Sequence, residues 1–225
     1  PADGGPAYGP RVFGYLLDEI VRRLSGGETL GDYWRRVFAE PLGLAFWIGL
    51  PATEFSRTAS VVPPKANTPE EGDEKFLAAM ADPASLTGKA FSSPSGLSGI
   101  SAMNRPEVRS ASLPSMGGIG SARALAEFYG MLACGGTARG VRFFTEKTLG
   151  WMNAPLARGF DPVLQREMCF SAGFMMDPVD SRGVKIRSLL GPSRSAFGHA
   201  GAGGSLGFAD PGNRLGFAYV MNLSL

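Results

Sequence analysis

The sequence holds one histidine, five lysines and two cysteines among 225 residues, and each shortage excludes something. With His199 as the sole imidazole and Cys134 and Cys169 far apart without metal-type spacing, no zinc pattern is present. No metal or other cofactor is expected. The two cysteines are read as buried thiols, a disulfide between them being the alternative. Arginines number seventeen, yet the formal net charge is only +2, and the only adjacent basic pairs are Arg22-Arg23 and Arg35-Arg36. That spread argues against a nucleic-acid partner. No apolar run reaches the roughly 18 to 20 residues that span a bilayer, and no signal-peptide pattern opens the chain, which leans the expected compartment towards the cytoplasm. The chain starts on Pro1-Ala2-Asp3 without Met and stops on Val220 to Leu225, straight out of an expected strand, so both ends are expected to be cut.

With 44% hydrophobic and 19% charged residues, the chain can bury a substantial core, and a globular protein is expected. Phe13, Leu16, Leu17, Ile20, Val21 and Leu24 recur at helical spacing, and Gly26-Gly27 supplies a stop. A second helix is expected from Thr29, carrying Tyr33, Val37 and Phe38 and ending at Pro41, followed by a short apolar turn from Leu44 to Leu50. Pro51 to Pro69 reads as a loop, Glu70 to Met80 as a short helix, and Ser92 to Gly120 as a long irregular loop of functional character. Ser121 caps a helix with Leu125, Phe128, Met131 and Leu132 on its apolar face, ended by Gly135-Gly136, and another short helix starts at Thr145.

From Phe170 the pattern changes. Phe170 to Met176, Phe197 to Ala202, Ser205 to Ala209 and Leu215 to Met221 read as strands, with Asp210-Pro211-Gly212-Asn213 as a hairpin turn. Helices followed by consecutive antiparallel strands point to an α+β protein. The expected division is a mostly helical subdomain over residues 1–155 and the C-terminal antiparallel strands over residues 156–225.

His199 lies in the glycine-dense strand Phe197-Gly198-His199-Ala200-Gly201-Ala202-Gly203-Gly204, where another backbone or a substrate can approach closely. An ordinary strand histidine satisfied by a neighbour fits the same residues. Gly203-Gly204-Ser205-Leu206-Gly207 matches the G-x-S-x-G pattern of a nucleophile elbow, but that elbow needs a strand, a sharp turn and a helix. Here a strand and a hairpin turn follow Ser205, and the only histidine precedes it, so the elbow is rejected.

Several phrases together resemble the class C β-lactamase-like superfamily, and family VIII carboxylesterases most of all. They are Tyr8-Gly9-Pro10 ahead of a helix ending at Ser25-Gly26-Gly27, then Pro41-Leu42-Gly43-Leu44 with Phe46 to Pro51, and Gly117-Gly118-Ile119 before a capped helix. Gly198-His199-Ala200-Gly201 and Gly203 to Asp210 complete the set, in order along nearly the whole chain. The resemblance implies a β-lactamase/transpeptidase-like fold, an antiparallel sheet with a helical subdomain. It also implies a serine hydrolase in which an S-x-x-K serine forms an acyl-enzyme with a small-molecule ester or amide.

By that resemblance Tyr8 is the acid/base, although an aromatic packed at a helix start fits it too. His199, Ala200 and Gly201 stand where the family has K-T-G on the strand lining the pocket, and Ala202 offers its N–H as half of an oxyanion hole. Ser205 then has no catalytic role.

The sequence departs from the family at three points. Pro10 stands where an amide-contacting Asn is frequent, and His199 replaces the strand lysine. Both changes favour ester over β-lactam hydrolysis. No lysine has a Ser or Thr three positions earlier: Val62, Gly72, Leu86, Phe144 and Arg182 precede Lys65, Lys75, Lys89, Lys147 and Lys185. The expected identity is therefore a fragment of a carboxylesterase lacking its nucleophile. A non-catalytic binding or scaffold member of the fold is one rival, and a β-lactamase or D-alanyl peptidase is another.

Overall fold

A computed structural model of the chain describes residues 5–63, 72–97 and 99–223. It divides into two compact units, one of Pro1–Gly120 with Pro162–Gln165 and Met221–Leu225, the other of Ser121–Asp161 with Arg166–Val220.

The first unit is largely helical. Helix α1 (Val12–Ser25) stops as its glycine requires, with Gly26 in the left-handed region and its N–H on Arg22 O. Helix α2 (Leu30–Trp34) starts at Thr29, whose side chain accepts from Asp32 N–H. Pro41 does not end this helix, contrary to the sequence expectation. The chain passes into a π-helical turn (Arg35–Ala39), in which Glu40 N–H reaches back to Arg35 O, and continues as α3 (Glu40–Leu42) to Gly43. The wider turn accommodates a proline that has no N–H to give to the ladder.

Leu44 to Leu50 is not simply a turn either. Phe46–Ile48 forms β1, paired antiparallel with β2 (Gly118–Gly120), and Trp34 Nε1 donates to Phe46 O at 2.9 Å. A 3-10 turn (Ala52–Arg57) opens the stretch expected to be a loop, followed by α4 (Glu74–Ala81) and α5 (Leu86–Ser92). Pro64 to Pro69 of that loop, and Glu70 and Glu71 of the next expected helix, lie outside the described residues. The expected irregular segment Ser92 to Gly120 holds a 3-10 turn (Ile100–Asn104), α6 (Pro106–Ser110) and β2. Asn104 explains part of this order: its side chain donates to Val61 O and accepts from Val61 N–H, as a neighbouring strand would. Buried Thr87 donates to Val163 O at 2.8 Å, and Leu42, Leu44, Leu50 and Val108 are buried.

The second unit packs a helix on a sheet. Helix α7 (Ala122–Ala133) is capped by Ser121, as expected, and is followed by the small hairpin β3 (Thr137–Ala138) and β4 (Val141–Arg142). Next come α8 (Glu146–Met152), capped by Thr145, and strands β5 (Ala157–Asp161), β6 (Arg166–Phe170), β7 (Met175–Met176), β8 (Phe197–Ala200), β9 (Leu206–Asp210) and β10 (Leu215–Tyr219). These six form one antiparallel meander in the order β10-β9-β8-β7-β6-β5. Helix α7 lies on β9 and β10 where Gly207 and Gly216 present no side chain: a Cβ on Gly216 would run into the backbone of Ala126 and Gly130. Tyr129, Phe174 and Phe197 extend this core as a chain of edge-on rings 6.1 and 5.0 Å apart.

Three expectations need correction here. Phe170 to Met176 is not one strand but the end of β6, a turn in which Ser171 N–H bonds Phe174 O, and β7. The strand expected through Ala202 stops at Ala200. Cys169 is buried, but Cys134 is exposed at the end of α7, and both are free thiols.

Candidate active site

The candidate residues fall on two structural settings. Tyr8 belongs to the first unit, in the irregular segment leading into α1, and is half-buried. Arg11 stands at the N-cap position of α1 without a side-chain cap bond. Its guanidinium instead donates to Pro94 O at 3.1 Å and Leu97 O at 2.9 Å. Ser115 reaches the same helix start, with its Oγ 2.7 Å from Gly14 N and 3.1 Å from Arg11 O. A shallow crevice beside this helix start is lined by Arg11, Tyr15, Leu113, Pro114, Ser115 and Met116, so its walls do not include Tyr8. Sequence reasoning passed over Arg11 and Ser115. The signal was there in the negative: Arg11 cannot cap α1 as Ser, Thr, Asp or Asn would, so partners for the first turn must come from elsewhere.

His199, Ala200, Gly201 and Ala202 lie together in the second unit. His199 pairs with Gly207 across β8 and β9, and Ala200 pairs with Leu206. Gly201 N–H then donates to Ser205 O at 2.6 Å and Gly204 N–H to Gly201 O at 3.0 Å, closing a turn that leaves Gly201 and Ala202 exposed. Ser205 sits at the end of this turn, directly before β9, with no helix after it. That geometry agrees with rejecting the nucleophile elbow.

His199 Nδ1 lies 2.7 Å from Ala200 O, and a carbonyl can only accept, so Nδ1 carries the hydrogen. Burial pushes the imidazole below its ordinary value, and the bond to Ala200 O offsets this only in part. A ring whose ordinary value is about 6.5 is thus neutral at pH 7, and no cation stands at this strand position. The strand ends are fixed on either side. Behind β8, Ser195 Oγ donates to Asp210 Oδ1 at 3.1 Å, and Asn213 Nδ2 donates to Asp210 Oδ2 at 2.7 Å, tying the β9–β10 turn to the approach to β8. Burial raises the Asp210 carboxyl, but the hydrogen bonds from Asn213, Ser193 and Ser195 outweigh it and hold the group below its usual range. Among the described residues, no group of three or more His, Cys, Asp or Glu side chains could hold a metal ion. No helix among them is long and apolar enough to cross a membrane.

Residues 5–224 match the family model described as Beta-lactamase. The chain belongs to the beta-lactamase family. It is 27% identical over 222 residues to the esterase/beta-lactamase LipL of Mycobacterium tuberculosis, a match covering 97% of this chain and 48% of that protein. Among solved structures it is similar to a penicillin-binding protein homolog from Caulobacter crescentus, with 37% identity and a TM-score of 0.79 over 98% of this chain and 54% of that one. It is similar also to a family VIII carboxylesterase, with 32% identity and a TM-score of 0.74 over 99% of this chain and 54% of that one. The chain therefore has the β-lactamase/transpeptidase-like fold and spans about half the length of the relatives it matches.

Proposed function

We propose that this chain supplies the acid/base tyrosine and one pocket wall of a serine hydrolase that cleaves small esters through an acyl-enzyme. The observation that carries the ester preference is the half-buried, neutral His199 on β8, at the strand position where a cationic lysine would meet a substrate carboxylate. Pro10 adds to it, since it has neither an N–H nor a side-chain donor for a substrate amide.

In this reading a serine of an S-x-x-K motif, which the sequence does not contain, forms a bond to the ester carbonyl carbon. Tyr8 takes the serine proton and passes it to the departing alcohol as the C–O bond breaks, and water then releases the acid by the reverse path. The N–H of Ala202, in the exposed turn after β8, donates to the developing oxyanion, with Ala200 and Gly201 presenting backbone to the acyl group. The nucleophile belongs to a part of the protein outside this sequence, and this chain alone is a fragment without turnover.

A second reading, a non-catalytic binding member of the same fold, draws on the absence of S-x-x-K from this sequence. A short-chain p-nitrophenyl ester and nitrocefin, offered to the protein made from the intact gene, separate these readings. Ester turnover above nitrocefin turnover supports the first, and no turnover of either supports the second. A preference for nitrocefin would return the protein to the β-lactamases.

A further inference from the structure

We propose that Ser115 and Arg11 are positioning residues for Tyr8, acting through the first turn of α1; the inference rests on the reading of Tyr8 as the acid/base. A helix start leaves four N–H groups without intrahelical partners, and the usual remedy is a side-chain acceptor at the N-cap. Here the N-cap residue is Arg11, whose backbone is at φ −120° and ψ −47° and whose side chain makes no cap bond. The hydroxyl of Ser115, 104 residues further along the chain, takes over that role. It accepts from the Gly14 N–H at 2.7 Å and donates to Arg11 O at 3.1 Å, joining the cap residue to the third helical residue.

This approach depends on Gly14, because a Cβ there would stand 2.6 Å from the Ser115 backbone nitrogen and 3.0 Å from its Cβ. The Arg11 guanidinium fixes the same residue from its other end by donating to Pro94 O and Leu97 O. Arg11 is therefore held through its carbonyl and through its side chain at once. Only Gly9 and Pro10 separate it from Tyr8. The Pro10 ring locks its own φ and narrows the conformations open to Gly9, so the link transmits the placement of Arg11 to the phenol.

The test uses the protein made from the intact gene with 13C at Cζ of its tyrosines, the Tyr8 resonance being assigned by its loss in Tyr8→Phe. In Ser115→Ala and Arg11→Gln the Tyr8 resonance should broaden and move towards its position in the unfolded chain. The resonances of Tyr129 and Tyr219 should stay where they are. Ser115→Thr, which keeps the hydroxyl, should restore the Tyr8 resonance. Exchange of the Gly14 amide should quicken on the order of tenfold in Ser115→Ala, the size of a lost cap. A Tyr8 resonance unchanged in folded variants overturns the proposal. If Ser115→Ala melts below the working temperature, Arg11→Gln, a change of a half-exposed side chain, decides alone. Failure of the underlying reading shows itself elsewhere, as ester turnover retained by Tyr8→Phe in the protein from the intact gene while the resonance shifts still appear.

Discussion

Lys185 Nζ lies 2.9 Å from Asp177 Oδ2, with 9% and 1% of the two side chains exposed. The pair organises the long connection between β7 and β8. Lys185 also donates to Gly191 O at 2.6 Å, and the Asp177 carboxylate accepts the N–H groups of Leu189 and Leu190. Leu190 in turn packs with Ala196 and Phe208, so one carboxylate shapes the loop that delivers the chain to the His199 strand.

Lys185→Met should therefore destabilise the chain by about 3–5 kcal/mol, since it leaves a buried carboxylate without its cation. Chemical denaturation measures this. Adding Asp177→Leu should recover only part of the loss, because the Leu189 and Leu190 N–H groups then lose their acceptor.

Gly216→Ala should cost about 1–3 kcal/mol or more by overpacking, because its Cβ meets helix backbone rather than a movable side-chain end. A thermal melt reads this as a lowered Tm, and Ala218→Gly on the same strand should change it far less.

The parts of the fold legible in the sequence were those with local causes. Gly26, Thr29, Ser121 and Thr145 mark helix ends and starts through their own backbone or side chain, and each does so in the structure. The Asp210 to Asn213 turn was legible for the same reason. Partners distant in the chain were not. Phe46–Ile48 becomes a strand because Gly118–Gly120 pairs with it, and the run through Phe170 to Met176 breaks because β6 folds back on β7. At the candidate site, His199 could be placed on a strand, but the turn that begins at Gly201 was read as strand through Ala202, because its closure depends on Gly201 N–H meeting Ser205 O. The clamp that follows Tyr8, at the start of α1, was not legible, since its two halves lie about a hundred residues apart.

His199 should titrate below about 6.5, and as the sole histidine its ring protons are unambiguous in a 1H NMR titration. The lowered folded value means that the unfolded chain binds the proton more tightly. Its contribution to stability is thus present in full above about pH 6.5 and is lost as the pH falls through the folded value. His199→Gln should flatten stability against pH in that window. A histidine titrating above 6.5 would contradict the neutral ring on which the ester preference rests.

Ser205→Ala should leave stability within about 0.5 kcal/mol, as for an ordinary partly exposed site, because the structural contact of Ser205 in the turn is made by its backbone carbonyl. In the protein from the intact gene it should also leave ester turnover unchanged. Loss of turnover would restore the nucleophile-elbow reading.

The most direct test of the account is p-nitrophenyl butyrate hydrolysis by the protein from the intact gene, with and without Tyr8→Phe. The account predicts turnover that falls by about 10²–10⁴-fold in the variant, the size of a lost acid/base, with KM little changed. Turnover that survives Tyr8→Phe would contradict it, and would leave Tyr8 as an aromatic packed at the start of a helix.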